Sequence, residues 1–89
     1  VGYKLQKLFD DPNFAVGSIG CDTGLMINPQ NDVVDYMIIE YPGRFEVYLN
    51  LFDYEDPSIP NVLVKGKSKS LEVAKSIAVR KLNKEAYGI

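Results

Sequence analysis

The chain has 89 residues, of which 46% are apolar and 11% aromatic, enough to fill one core and too much for a disordered chain. Its formal net charge is −2, which argues against an indiscriminate polycation. No stretch approaches the eighteen or so apolar residues of a membrane span. With no His and a single Cys, a disulfide framework, a Cys/His zinc site and every His-based triad fall away together.

Read in chain order, 3–9 forms a short helix burying Leu5, Leu8 and Phe9, stopped at Asp11-Pro12 because a residue before proline avoids the helical well. The stretch 13–32 holds Gly17, Gly20 and Gly24 between the apolar patches Phe14-Ala15-Val16 and Leu25-Met26-Ile27. It reads as a loop with one or two short strands. The stretch 33–41 is a strand rich in β-branched and aromatic residues. Over 44–52 the alternation is strict: Phe45, Val47, Leu49 and Leu51 point one way, and Arg44, Glu46, Tyr48 and Asn50 the other. Pro42-Gly43 joins these two strands as an antiparallel hairpin. Pro-Gly suits a type II turn, so a longer loop or a bulge is expected there. An acidic, proline-bounded loop, 53–60, leads to a third strand at 61–65.

The last element is a helix over 69–87. Leu71, Ala74, Ile77, Ala78 and Leu82 recur at helical spacing. Ser68 or Ser70 caps its start, Glu72 meets the positive end of the dipole, and Gly88 supplies a stop. The chain therefore predicts a single α+β domain: an antiparallel sheet of three strands, or four if 13–32 contributes one, with the C-terminal amphipathic helix packed on one face. The expected contact sets the Leu71/Ala74/Ala78/Leu82 side of the helix on the Phe45/Val47/Leu49/Leu51 side of the sheet.

Charge is unevenly spread. Between Leu8 and Val64, Arg44 is the one base among Asp10, Asp11, Asp22, Asp32, Asp35, Glu40, Glu46, Asp53, Glu55 and Asp56. From Lys65 onward the balance reverses, with Lys65, Lys67, Lys69, Lys75, Arg80, Lys81 and Lys84 against Glu72 and Glu85. Such polarity marks a binding face or an ordinary solvated surface.

Catalytic patterns are thin. Asp22-Thr23-Gly24 is similar to the carboxylate loop of retroviral-type aspartic proteases. Gly20-Cys21 precedes it where that family has apolar strand residues, and Leu25 follows where Ala is usual; turn chemistry accounts for the tripeptide. Cys21 has no His to activate it. Gly66-Lys67-Ser68 lacks the first glycine of a phosphate loop, its place being taken by Asn61. Asp53, Glu55 and Asp56 lack the glycine and terminal Glu of an EF-hand. No enzyme activity, metal or cofactor is expected.

The order strand, turn, strand, loop, strand, helix over roughly 33–83, the run Gly66-Lys67-Ser68-Lys69-Ser70, and the Ala74-Lys75 and Ala78 steps of a small-residue helix together resemble the C-terminal half of a double-stranded-RNA-binding domain. That family runs α-β-β-β-α, and the helix at 3–9 completes the order. The family's Gly-Pro-x-His segment is represented by Pro42-Gly43 without the histidine, and its Lys-Lys pair at the helix start is Leu71-Glu72 here. Duplex recognition needs those contacts along one face. The resemblance thus implies a binding module of this fold acting through a protein partner or homodimer, in the manner of divergent members, and an intracellular, cytoplasmic setting; the N-terminus does not resemble a secretory signal. Partner-binding candidates are the aromatics expected opposite the core, Tyr36, Tyr48 and Phe52, and the acidic loop residues Asp53, Glu55 and Asp56. The alternative is weak RNA or DNA binding through Lys65, Lys67, Lys69, Lys75 and Lys81. A third reading is a phage- or virus-type inhibitor whose acidic stripe imitates nucleic acid.

Overall fold

The computed structural model describes residues 3–52, 55–56, 58 and 61–89, with the side chain of Tyr3 left aside. The elements are α1 (Tyr3–Phe9), β1 (Gly20–Ile27), β2 (Val33–Tyr41), β3 (Arg44–Leu51), β4 (Val62–Ser68) and α2 (Leu71–Tyr87). The strands form one antiparallel sheet in the order β1-β2-β3-β4. The fold is α+β, with the sheet four strands wide.

The expected helix–sheet contact is present. Ala74, Ala78 and Leu82 of α2 bury against Val47, Leu49 and Leu51 of β3, Val62 and Val64 of β4 and Val34 of β2. Leu71 and Phe45 pack at the margin of that cluster. Ser70 is the N-cap, its side chain accepting from the Val73 amide, and Gly88 closes the helix with φ 72°. The small residues on α2 matter because the helix rides close to the sheet over Gly66.

The opposite face is covered too. Leu5 of α1, with Leu8, Phe14 and Ala15, packs on Met37, Ile39, Tyr41, Tyr48 and Leu63. The sheet is the middle layer of three, α2 on its near face and α1 with the following turns on its far face. Consequently β3 is buried on both sides from Glu46 to Leu51. The alternation of β3 marks two different covers rather than core and solvent.

Three local readings of the sequence are corrected. The stretch 13–32 contains one eight-residue strand, β1, so Asp22-Thr23-Gly24 lies mid-strand and not in a turn. The β2–β3 connection is a tight two-residue turn, with Tyr41 paired to Arg44 and Gly43 at φ 85°. Gly43 supplies the positive φ that the second turn position demands, and neither bulge nor longer loop is needed. The last strand runs to Ser68 instead of stopping at 65, so Gly66-Lys67-Ser68 belongs to the sheet and not to the approach to the helix. β1 also makes the sheet one strand wider than the α-β-β-β-α order.

Candidate functional site

The sheet's two edges differ in chemistry. β4 carries Lys65 and Lys67, both exposed, on the strand edge; α2 packs on β4, and the Lys81 ammonium donates to the Lys65 carbonyl at 3.0 Å. Lysines on an edge discourage pairing with another chain. β1 has no such lysines, and its one charged side chain is Asp22. Its sequence, Gly-Cys-Asp-Thr-Gly-Leu-Met-Ile, contains no Lys, Arg or Pro. Leu25 is 68% and Ile27 69% exposed, and Val33, paired with Ile27, is half exposed.

Neither helix spreads over β1: α2 packs chiefly on β4 and β3, and the α1 cluster reaches Met37, Ile39 and Tyr41 of β2 but no residue of β1. On the near face this leaves an open groove of about 330 Å³ between α2 and the outer strands, lined by Met26, Tyr36, Ile38 and Val79 with Asp22 and Lys75 at its rim. Tyr36 lies within it, paired with Gly24 across the ladder. A Cβ on Gly24 would meet the Tyr36 hydroxyl at 2.6 Å, so the ring lies over the glycine and covers backbone that a side chain would otherwise cover.

The direction of β1's backbone groups follows from its hairpin. Asn28 N–H donates to the Asp32 carbonyl at 3.0 Å, which makes Asn28 and Asp32 a hydrogen-bonded pair. Antiparallel ladders alternate, so the even-numbered residues of β1 turn their amides and carbonyls toward β2. Cys21, Thr23, Leu25 and Ile27 turn theirs outward. The same four side chains share the far face. The hairpin is held by Asn31 at φ 67°. The Tyr87 hydroxyl completes a small polar cluster there, donating to Asp32 at 2.5 Å and accepting from Asn28 Nδ2 at 2.8 Å. Burial and the bond to Asp32 raise the Tyr87 pKa.

The far face holds a buried carboxylate. Glu46 accepts from the Tyr48 hydroxyl at 2.9 Å and from Arg44 Nε at 3.1 Å, with the Lys65 ammonium at 3.5 Å. Burial pushes its carboxyl up, but the bonds from Tyr48 and Arg44 and the two positive charges outweigh that and hold its pKa below the ordinary value. Burial and Glu46 push Tyr48 the other way. Arg44 also lies over the Tyr41 ring, 3.9 Å from its centroid. These partners are all internal, and the cluster reads as structural glue between β3 and β4.

The residues expected to bind a partner are not brought together. Tyr48 is buried on the far face, where Phe14 meets it edge-on at 5.5 Å. Tyr36 is on the near face, over Gly24 and beside the α2 core. Tyr48 does lie opposite the α2 core, but α1 and Phe14 cover that face; Tyr36 lies on the α2 side and not opposite it. Phe52 is half-buried. Glu55 and Asp56 are exposed, Asp56 accepting from the Ser58 amide and hydroxyl; Asp53 lies outside the described residues.

Nor do the lysines converge. Lys65 points to the far face, onto Glu46, and Lys67 shares that face by strand parity. Lys75 borders the groove on the near face and pairs with Glu72 at 3.7 Å. Lys81 reaches over the β4 edge, and Lys69 is exposed between β4 and α2. Sequence reasoning allowed one or two short strands within 13–32 but did not place β1 or see that it forms a sheet edge. Its exposed Leu25 and Ile27 were legible only as an apolar patch.

Burial and the neighbouring Asp22 raise the pKa of the exposed Cys21 thiol, opposite to the shift that makes a nucleophile. Among the described residues no helix is long and apolar enough to cross a membrane, and no group of three or more His, Cys, Asp or Glu side chains is placed to hold a metal ion. Comparison with protein-family models, curated proteins and solved structures finds no match.

Proposed function

We propose that the chain is a non-enzymatic binding module that meets a protein partner by strand addition along β1, with the groove beside α2 as a second contact. The observation that carries this reading is the contrast between the edges: β4 is guarded by lysines and β1 presents exposed Leu25 and Ile27 with outward backbone groups. Strand addition takes affinity from main-chain hydrogen bonds and selectivity from side-chain pockets on either face. The unfilled groove lined by Met26, Ile38 and Val79 supplies such a pocket. The dispersion of Lys65, Lys67, Lys69, Lys75 and Lys81 over both faces and both flanks of α2 weighs against the nucleic-acid reading, which needs phosphate contacts on one surface.

The test is selection of displayed peptides on the purified chain, followed by binding to variants. Extended apolar peptides are expected, with affinity falling at least tenfold in Leu25→Lys and unchanged in Lys67→Glu with Lys69→Glu. Binding of duplex RNA that is lost in the double lysine variant and falls steeply with salt would overturn the reading.

A further inference from the structure

Resting on that reading of β1, we propose that the partner is a second copy of this chain, the two β1 strands pairing antiparallel about a two-fold axis through Gly24 to make one continuous eight-stranded sheet. Three features of β1 lead there.

The first is size. The C-terminal half of β1 is large and apolar (Leu25, Met26, Ile27), and the N-terminal half is small or polar (Cys21, Asp22, Thr23). Antiparallel pairing about Gly24 sets each large residue against a small one: Ile27 opposite Cys21 of the second copy, Met26 opposite its Asp22, Leu25 opposite its Thr23. A strand whose reversed copy complements it is suited to a two-fold interface, where one patch must fit itself.

The second is hydrogen bonding. A two-fold axis perpendicular to the sheet pairs odd-numbered residues with odd ones and keeps both far faces on the same side. Centring the axis on Gly24 lets Cys21, Thr23, Leu25 and Ile27 all find outward-facing partners within the strand. Moving it to Thr23 leaves Ile27 without a partner inside β1. Moving it to Asp22 sets two carboxylates opposite each other, which like-charge pairing penalises.

The third is the axis itself. Gly24 meets Gly24 of the second copy with no Cβ on either side, and each glycine keeps its own Tyr36 ring across it. Neither strand brings a base or proline to the contact, and the only charge on β1, Asp22, faces Met26. Pairing of β1 with β4 of another copy would instead bring up Lys65 and Lys67 and would propagate without closing.

Sedimentation equilibrium from low micromolar to millimolar concentration tests this. The chain is expected to sediment as a dimer, with slow amide exchange at Cys21, Thr23, Leu25 and Ile27. Thr23→Pro removes an N–H that points away from β2, so the fold survives with its β1–β2 amides protected while the dimer dissociates to monomer. Ile27→Cys gives a covalent dimer with the native Cys21 on oxidation, since opposed residues lie within disulfide reach. The unsubstituted chain and Leu25→Cys do not.

A monomer at millimolar concentration overturns the self-pairing. So does a dimer indifferent to Thr23→Pro, or one in which Ile27→Cys forms no disulfide with Cys21 of the second copy. A monomer that still binds selected extended peptides, sensitive to Thr23→Pro, keeps the binding-module reading and loses only the second copy. A monomer that binds none loses both.

Discussion

Gly66 of β4 lies directly under the backbone of Ala74 in α2. A Cβ on Gly66 would stand 2.7 Å from the Ala78 nitrogen and closer still to the Ala74 carbonyl oxygen. Both are main-chain atoms of a regular helix and cannot swing aside. The near-face core therefore depends on three small residues, Gly66, Ala74 and Ala78, stacked where helix and sheet come closest. Gly66→Ala is expected to lift α2 off the sheet at a cost of about 3 kcal/mol, at the upper end for overpacking. Urea denaturation followed by circular dichroism reads it. An unchanged midpoint would show that helix and strand are farther apart than described.

Glu46 links stability to pH. Its folded pKa lies below its unfolded one, so the ionised form is the better held in the native state. The stabilisation is present above the ordinary carboxylate range and is lost as pH falls through the depressed folded value. Both cations are about half exposed, so the contribution is modest, about 1 kcal/mol. Glu46→Gln is expected to lower the melting temperature at pH 7 and to lower it less at pH 3, which flattens the acid limb. Equal losses at both values would remove the carboxylate from that role.

Asn50 ties α1 to the sheet. It is fully buried; its Oδ1 accepts from the Leu5 amide at 3.3 Å, and its Nδ2 donates to Asn61 Oδ1 at 2.8 Å and the Val62 carbonyl at 3.0 Å. The Leu5 N–H belongs to the first turn of α1, where the helix has no internal acceptor to offer. A side chain from β3 satisfies it. Asn50→Ala strands that amide and is expected to cost about 1–3 kcal/mol. Hydrogen exchange should quicken in α1 ahead of α2. Uniform quickening would mean that the helix does not rely on this contact.

The C-terminal end of α2 is fastened to the β1–β2 hairpin by Tyr87. Tyr87→Phe keeps the ring and removes the hydroxyl shared by Asp32 and Asn28. Loss of about 1 kcal/mol is expected, with faster exchange confined to the last turn of α2 and to 28–32. Protection unchanged in both places would separate the two segments.

The elements with one strong period were readable. The Ala74/Ala78/Leu82 stripe and the β3 alternation identify α2, its sheet face and the α+β class. β1 could be read only as a possible short strand because its far-face residues, polar Cys21 and Thr23 and apolar Leu25 and Ile27, are all exposed and leave no polar–apolar alternation in the sequence. Gly66 concealed the end of β4 for a different reason: glycine is a poor strand former, and its role appears only once α2 is laid over it. The burial of Tyr48, though not its face, escaped the sequence because α1 is short. Nothing in Tyr3–Phe9 says which side of the sheet it will cover, although Leu5, Leu8 and Phe14 needed a second apolar surface somewhere.

Strand order has a kinetic consequence. Because each strand pairs only with its neighbours along the chain, the sheet can assemble by successive hairpins, without the long loop closures that slow non-local topologies. The widest spans belong to bonds such as Lys4 to Asn61 and Tyr87 to Asp32, which tie the two helices down. Refolding should then show ladder formation before final docking of the chain's two ends.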